Sequence, residues 1–270
     1  MVADAFGVGV SSIKRWTDEG VLKAVKTAGG HRRYRIEDVY EFAWKNDYPT
    51  SELPPIPITE PDLEDSEARV DALLEALRTG RTSKADALVT WELAHSPDRT
   101  LVLDRFLGTV MRQIGALWEQ GELTVDEEHR ATNIVEEILA RQSVIHVENP
   151  VGTALLACPP TEQHDLPLRF VKLVLEWNDW SVQYLGANVP WDSIVRSLPE
   201  VRPDLLLMSA RSPEPFESPD FEELVAACEE LGILLGAGGS WARGGPQADR
   251  GFRRFRTLKG LESFVRKLRS

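Results

Sequence analysis

Residues 161–167 read Thr161-Glu162-Gln163-His164-Asp165-Leu166-Pro167, and what flanks them decides the fold. Upstream, Ala154-Leu155-Leu156-Ala157-Cys158 is a short apolar run stopped by Pro159-Pro160, the pattern of a buried strand. Downstream, Leu168, Val171 and Leu175 recur at three- and four-residue spacing, which predicts a helix. His164 therefore falls in a loop between the carboxyl end of a strand and the start of a helix. Open α/β sheets bind ligands at that place. A neutral imidazole there can ligate a metal, and Glu162, two residues earlier, can hold its other ring nitrogen. The competing reading is a solvated loop histidine.

Further along, Trp180 to Gly186 reads as a strand running into the glycine-containing turn Gly186-Ala187-Asn188-Val189-Pro190. Leu205-Leu206-Leu207-Met208-Ser209 is a second buried strand, and Gly232 to Gly239 a third that ends in glycines. This order resembles the cobalamin-binding domain shared by corrinoid enzymes and B12-dependent regulators. Its motif is an acidic residue, any residue, His, two more and Gly, with a later Ser and a Gly-Gly pair. Glu162, His164, Ser209, Gly238 and Gly239 match it. The resemblance implies that these residues bind the cofactor, with His164 as the lower axial ligand of cobalt. The motif glycine is replaced by Pro167, which removes an N–H and adds bulk where the ligand would approach.

A chain of 270 residues has room for two or three domains with their own cores. The formal net charge of −12 excludes a protein that coats nucleic acid along its surface, but not a local basic reader. Cys158 and Cys228 lack metal-ligand spacing, so a reducing cytoplasmic setting is expected. No apolar run approaches a membrane span and the amino terminus does not read as a signal peptide, so no membrane partner is expected.

At the amino terminus, Ser11 to Gly20 opens on a capping residue and closes on a helix-stopping glycine. Ile13 and Trp16 share one face of that helix and leave Ser12, Lys14 and Arg15 outside it. Lys23 to Arg35 then reads as a hairpin around Gly29-Gly30 with a basic return strand, His31-Arg32-Arg33-Tyr34-Arg35, and Ile36 to Ala43 as a short amphipathic helix. A helix with a basic wing can place the helix in a major groove and the wing on phosphates. The string Val10 to Trp16, Glu19-Gly20 and Gly29 to Tyr34 resembles the winged helix-turn-helix of MerR-family transcription regulators. By that resemblance Ser12, Lys14, Arg15, His31, Arg32, Arg33, Tyr34 and Arg35 contact promoter DNA. Relatives carry more chain before the equivalent of Val2-Ala3, so the first helix is expected to be clipped at its start.

Residues 49–65 are rich in proline and acid and predict an extended linker. Four helical patterns follow at about 66–79, 82–95, 98–120 and 124–146, the last opened by a Thr124/Glu127 capping box. Within this bundle, Trp118, nine residues and then Glu128-His129 resemble the signature of light-sensing B12-dependent MerR regulators of the CarH and LitR type. There the bundle caps the upper face of adenosylcobalamin, which implies that Trp118, Glu128 and His129 face the adenosyl group. In that type a histidine follows the Trp and takes the upper cobalt position after illumination. Here the residue is Glu119, a harder and weaker partner for cobalt.

The expected architecture is multidomain, α and α/β: a winged helix-turn-helix over 1–48, the linker 49–65, a four-helix cap over 66–147, and a Rossmann-like (flavodoxin-like) cobalamin-binding domain over 148–270. The expected protein is not an enzyme but a light-responsive regulator, a homo-oligomer (dimer or tetramer), whose DNA affinity changes when adenosylcobalamin is photolysed. Two alternatives stand beside it. The cleft takes a bilin such as biliverdin, alone or with cobalamin and with Cys158 as a possible thioether attachment point, or the chain is a corrinoid methyl carrier.

Overall fold

A computed structural model describes residues 2–26, 32–34, 38–39, 42–43, 46, 48, 66–143, 147–243, 248–249 and 251–268. The linker 49–65, His31 and Arg35 lie outside the described residues. The amino-terminal domain opens with α1 (Val2–Ala5) and α2 (Val10–Asp18), followed by β1 (Val25–Lys26) paired antiparallel to β2 (Arg32–Arg33). Phe6, Ile13, Leu22 and Phe42 form its buried centre, closed by Trp16 and Tyr48. Ring centroids 4.8 Å apart for Trp16–Phe42 and 5.1 Å for Phe6–Tyr48 make this small core largely aromatic, which gives it much buried area per residue.

The bundle contains α3 (Ser66–Arg78), α4 (Thr82–His95), a third helix in three pieces, and α7 (Val125–Gln142). The third was expected as one regular helix over 98–120. It is instead α5 (Arg99–Leu101), a π-helical stretch Val102–Leu107, and α6 (Gly108–Glu119). The wide turn presents Asp104 to the next domain, where its carboxylate accepts from Leu258 N–H (3.2 Å) and Lys259 N–H (3.3 Å). The wider turn coincides with that contact. Thr124 N–H donates to Glu127 at 2.9 Å, and the capping box starts α7.

The carboxyl-terminal domain is a six-stranded sheet of order β4-β3-β5-β6-β8-β7: β3 (Thr153–Ala157), β4 (Ser181–Gly186), β5 (Leu205–Ser209), β6 (Leu234–Gly238), β7 (Ala248–Asp249) and β8 (Phe252–Arg254). Neighbouring pairs are parallel except β7 with β8. Its helices are α8 (Leu166–Glu176), α9 (Trp191–Val201), α10 (Pro219–Leu231) and α11 (Leu258–Leu268). Leu168, Leu175, Leu261 and Val265 place α8 and α11 over one face, and Ile194, Leu198, Phe221 and Leu224 place α9 and α10 over the other. This is the doubly wound, flavodoxin-like order, and its switch point lies between β3 and β5.

α8 belongs to two cores. Leu168 and Leu175 face the sheet, whereas Phe170, Leu173 and Val174 are buried among the bundle's apolar residues. The seam is fastened by polar pairs around it. Ser143 Oγ donates to Glu176 at 2.8 Å, Arg169 meets Glu136 at 3.4 Å, and Lys259 bridges Asp98 and Glu262.

Candidate cofactor site

The loop after β3 sits at the switch point and is tightly built. Thr161 adopts a left-handed backbone (φ 72°), uncommon for a β-branched residue and a form of strain that gathers at functional sites. It is held by Asn188 from the loop after β4. The Asn188 side-chain oxygen accepts from Thr161 N–H at 2.8 Å, and Asn188 N–H donates to Glu162 O at 2.8 Å. Asn188, itself left-handed at φ 52°, is a supporting residue that sequence reasoning missed.

Glu162 is buried and accepts three hydrogen bonds, from His164 N–H (2.8 Å), His164 Nδ1 (2.8 Å) and Arg211 N–H (2.6 Å). A carboxylate only accepts, so His164 carries its proton on Nδ1 and offers a lone pair at Nε2. The imidazole is thereby fixed in tautomer and orientation while its side chain stays 58% exposed. Next to it, Asp165 accepts from Tyr184 Oη at 2.9 Å and pairs with Arg169 at 3.1 Å, and Arg169 continues to Glu136 of α7. Burial, with the neighbouring Asp165 carboxylate, pushes the Tyr184 phenol up, so it stays a donor. Burial likewise raises the Glu136 carboxyl despite the opposing charge of Arg169.

The cap reaches this loop through Glu119, at the end of α6. Its carboxylate accepts from Arg211 Nη2 at 3.3 Å, and Arg211 Nη1 lies 3.5 Å from His164 Nε2. The residue expected above the cofactor and the residue expected below it thus face one cleft from opposite domains. Trp118, one position before Glu119, is 40% exposed, a large apolar ring left open at the end of a bundle helix. Glu128 accepts from Thr132 Oγ1 at 2.8 Å and lies 3.7 Å from His129, whose side chain is 70% exposed. No described contact ties Trp118 or the Glu128-His129 pair to His164.

Other expected site residues are placed differently. Ser209 is buried and pairs with Gly238 across β5 and β6. A Cβ on Gly239 would stand 1.9 Å from Ala210 O, and one on Gly238 3.2 Å from Phe255 O. The chain's own backbone therefore already demands glycine at 239 and leaves little room beyond it at 238. Cys158 is fully buried, and burial pushes its thiol up to about 12. A protonated, enclosed thiol is a poor nucleophile, which weighs against it as an attachment point.

In the amino-terminal domain Lys14 and Arg15 are exposed on α2 and Ser12 partly so. Arg32 donates instead to Asp18, and Tyr34 Oη meets Thr17 Oγ1 at 3.1 Å, so both fasten the wing to α2. Arg33 is exposed on β2.

Among the described residues no group of three or more His, Cys, Asp or Glu could hold an ion. A single oriented imidazole suits a metal whose other positions arrive with it, as in a macrocycle. His164 and Glu162 fit a corrinoid on that ground, and Pro167 is accommodated in the first turn of α8.

Fold and site together define a cofactor-binding cap and sheet joined to a DNA-reader-like domain. Comparison with known proteins gives the same division. Families described as "B12 binding domain" match residues 69–141 and 152–251, and one described as "Helix-turn-helix domain" matches 2–47. The chain is 27% identical to the HTH-type transcriptional repressor CarH of Myxococcus xanthus over 269 residues, covering 90% of this chain and 88% of that one. It is 31% identical to the repressor CarA of the same organism over 141 residues, 51% of this chain and 47% of that one. Among solved structures, the Methanosarcina barkeri monomethylamine corrinoid protein superposes with TM-score 0.58 at 16% identity, covering 76% of this chain and all of that one, a likeness of fold. The chain is CarH-like, with a helix-turn-helix domain followed by a two-part B12-binding domain.

Proposed function

We propose that this chain is a cobalamin-binding transcriptional regulator that senses light through adenosylcobalamin and changes its hold on promoter DNA. The observation that carries the reading is the Glu162–His164 pair at the β3/β5 switch point, 2.8 Å apart, facing the end of a bundle helix. When bound, adenosylcobalamin supplies a cobalt–carbon bond that light can break. The protein's own part is ligation and cover. His164 offers Nε2 from below, Glu162 keeps that lone pair aimed, and Trp118 with Glu128 and His129 are proposed to pack over the upper face.

Loss of the upper group would remove packing from Trp118 and bias the cap toward a second position. α8 starts directly after His164 and is packed into both cores, so it couples such a shift to the rest of the molecule. The amino-terminal domain favours a regulator over a corrinoid carrier, which needs no DNA reader. Lys14 and Arg15 are proposed to meet DNA from α2, with Arg33 on the wing. A homo-oligomer that assembles or dissociates on illumination completes the proposal.

The test is the absorption spectrum of protein reconstituted with adenosylcobalamin, in darkness and after green light, with chromatography and DNA binding on the same samples. The expected result is a base-off, histidine-bound spectrum that light changes, together with a change in assembly or DNA affinity. A spectrum identical in the His164→Ala variant sinks the cobalamin reading. A light-induced spectrum without change in assembly or DNA affinity sinks the sensor reading. A long-wavelength bilin band in the purified protein would point to the other chromophore.

A further inference from the structure

Arg211 lies two residues beyond β5, on the far side of the switch point from His164. Its main chain is fixed on both sides, with N–H donating to Glu162 at 2.6 Å and C=O accepting from Ser240 Oγ at 3.1 Å. From that anchor the guanidinium, 53% exposed, spans the cleft to Glu119 of the cap and to the imidazole of His164. Because Nδ1–H is committed to Glu162, the atom facing Arg211 Nη1 at 3.5 Å is the lone-pair nitrogen. A metal approaching His164 needs that same lone pair. Guanidinium keeps its charge at every accessible pH, so the arginine stays a donor, and a metal must displace it to reach the lone pair.

We propose that Arg211 determines access to the cofactor site. It masks the ligating nitrogen of His164 until a ligand displaces it, and it claims the Glu119 carboxylate, which serves as counter-ion to the guanidinium and not as an axial group for cobalt. This rests on the cobalamin reading of the same cleft. An arginine reaches across from the sheet, and the carboxylate at position 119 answers it at 3.3 Å. The pair is exposed on both sides, 53% and 60%, so the mask is weak and yields to a large ligand.

The experiment uses the full chain with its five histidines 15N-labelled, free of cofactor, and reads ring nitrogens by long-range 1H–15N NMR. Native protein should show Nδ1-protonated rings for His164 and for His95, whose Nδ1 faces Trp91 O at 2.9 Å, with the His164 Nε2 signal displaced by an accepted hydrogen bond and assigned with His164→Gln. In Arg211→Ala the Nε2 signal should move to its unbonded position with Nδ1 unchanged. Arg211→Lys keeps the cation but loses the two-pronged reach, and should move it in the same direction. Alanine retains the N–H to Glu162, and a native melting curve confirms that the loop survives. In the second arm, hydroxocobalamin is mixed with each protein and followed by absorbance. Association with Arg211→Ala should be about two- to fivefold faster, as expected for removal of an exposed pair. An unchanged Nε2 signal, or slower association in Arg211→Ala, overturns the proposal. Native protein that ignores hydroxocobalamin refutes the cobalamin reading instead, and the NMR arm still decides whether Arg211 masks the ring.

Discussion

Replacing Glu162 with Gln changes one atom and should be felt at two bonds. In the native loop one carboxylate oxygen accepts twice from His164 and the other accepts from Arg211 N–H at 2.6 Å. An amide can keep only one of these oxygens. With the oxygen toward His164, the NH2 group faces the Arg211 N–H, and two donors meet in a site where Glu162 is only 7% exposed. An unsatisfied buried donor costs about 1–3 kcal/mol. With the amide turned the other way, the NH2 group faces Nδ1, which must then accept, so the proton moves to Nε2 and the ligating lone pair is lost. The first arrangement weakens the loop, and the second competes directly with metal. The expected outcome is a fall in cobalamin affinity of about 10–100-fold, equivalent to roughly 1.4–2.8 kcal/mol. Titration with hydroxocobalamin, followed by absorbance, measures it. Denaturant unfolding of the cofactor-free protein should show a loss of about 1–2 kcal/mol. Affinity within twofold of native would refute the argument that the buried carboxylate sets the tautomer of His164.

Asp104→Ala should remove both hydrogen bonds to the start of α11 and lower stability by about 1–2 kcal/mol, read by urea unfolding, and should loosen the seam to proteolysis. The Asp98–Lys259 bridge predicts a pH plateau. Burial opposes ionisation of Asp98, but hydrogen bonds from Lys259 and Leu101 outweigh it and hold the carboxyl below its usual range. Asp98 first, then Glu262, holds the Lys259 ammonium above its own. The carboxylate's contribution is present above its unfolded value of about 4 and lost as pH falls through the lowered one; the ammonium's is present below about 10.4 and lost as pH rises through the raised one. Both side chains are partly exposed, so the plateau should be worth under about 1 kcal/mol and vanish in Lys259→Met, as unfolding across pH would show. Lys14→Ala with Arg15→Ala should weaken DNA binding at every sequence and shallow the salt slope by about 2 if each meets one phosphate. Arg32→Ala should lower the melting temperature of the amino-terminal domain slightly, because its guanidinium is held by Asp18.

The sheet and its site were legible because strand and helix periods are written locally. Ala154 to Cys158 and Leu205 to Met208 are apolar without alternation, as strands covered on both faces must be. His164 could be placed by what precedes and follows it. Arg211 could not, because its partners lie 47 and 92 residues away and no spacing rule connects them. The π-helical stretch was equally invisible. Val102 to Leu107 keeps an apolar pattern that suits a regular helix, and the partner of Asp104 at the wider turn lies 154 residues away. Arg32 and Tyr34 read as DNA contacts from charge and position, and their partners on α2, Asp18 and Thr17, were not legible because they lie 14 and 17 residues away.

How a change at one imidazole reaches a whole domain follows from the double membership of α8. A helix that packs on a single neighbour can tilt with it at little cost, since only one set of contacts must rearrange. α8 cannot, because Leu168 and Leu175 are buried against the sheet while Phe170, Leu173 and Val174 are buried in the bundle. Close-packed interfaces of this kind move between discrete arrangements and resist continuous deformation. The first turn of α8 also carries the Asp165–Arg169–Glu136 chain across the seam, immediately beside His164. If a ligand displaces Arg211 from His164 and Glu119, it would break an exposed cross-domain tie and leave the buried ones in place. The weak tie at the cleft and the strong ones behind it divide the work. On the proposed reading the first would yield to the ligand, and the second would hold the seam behind it.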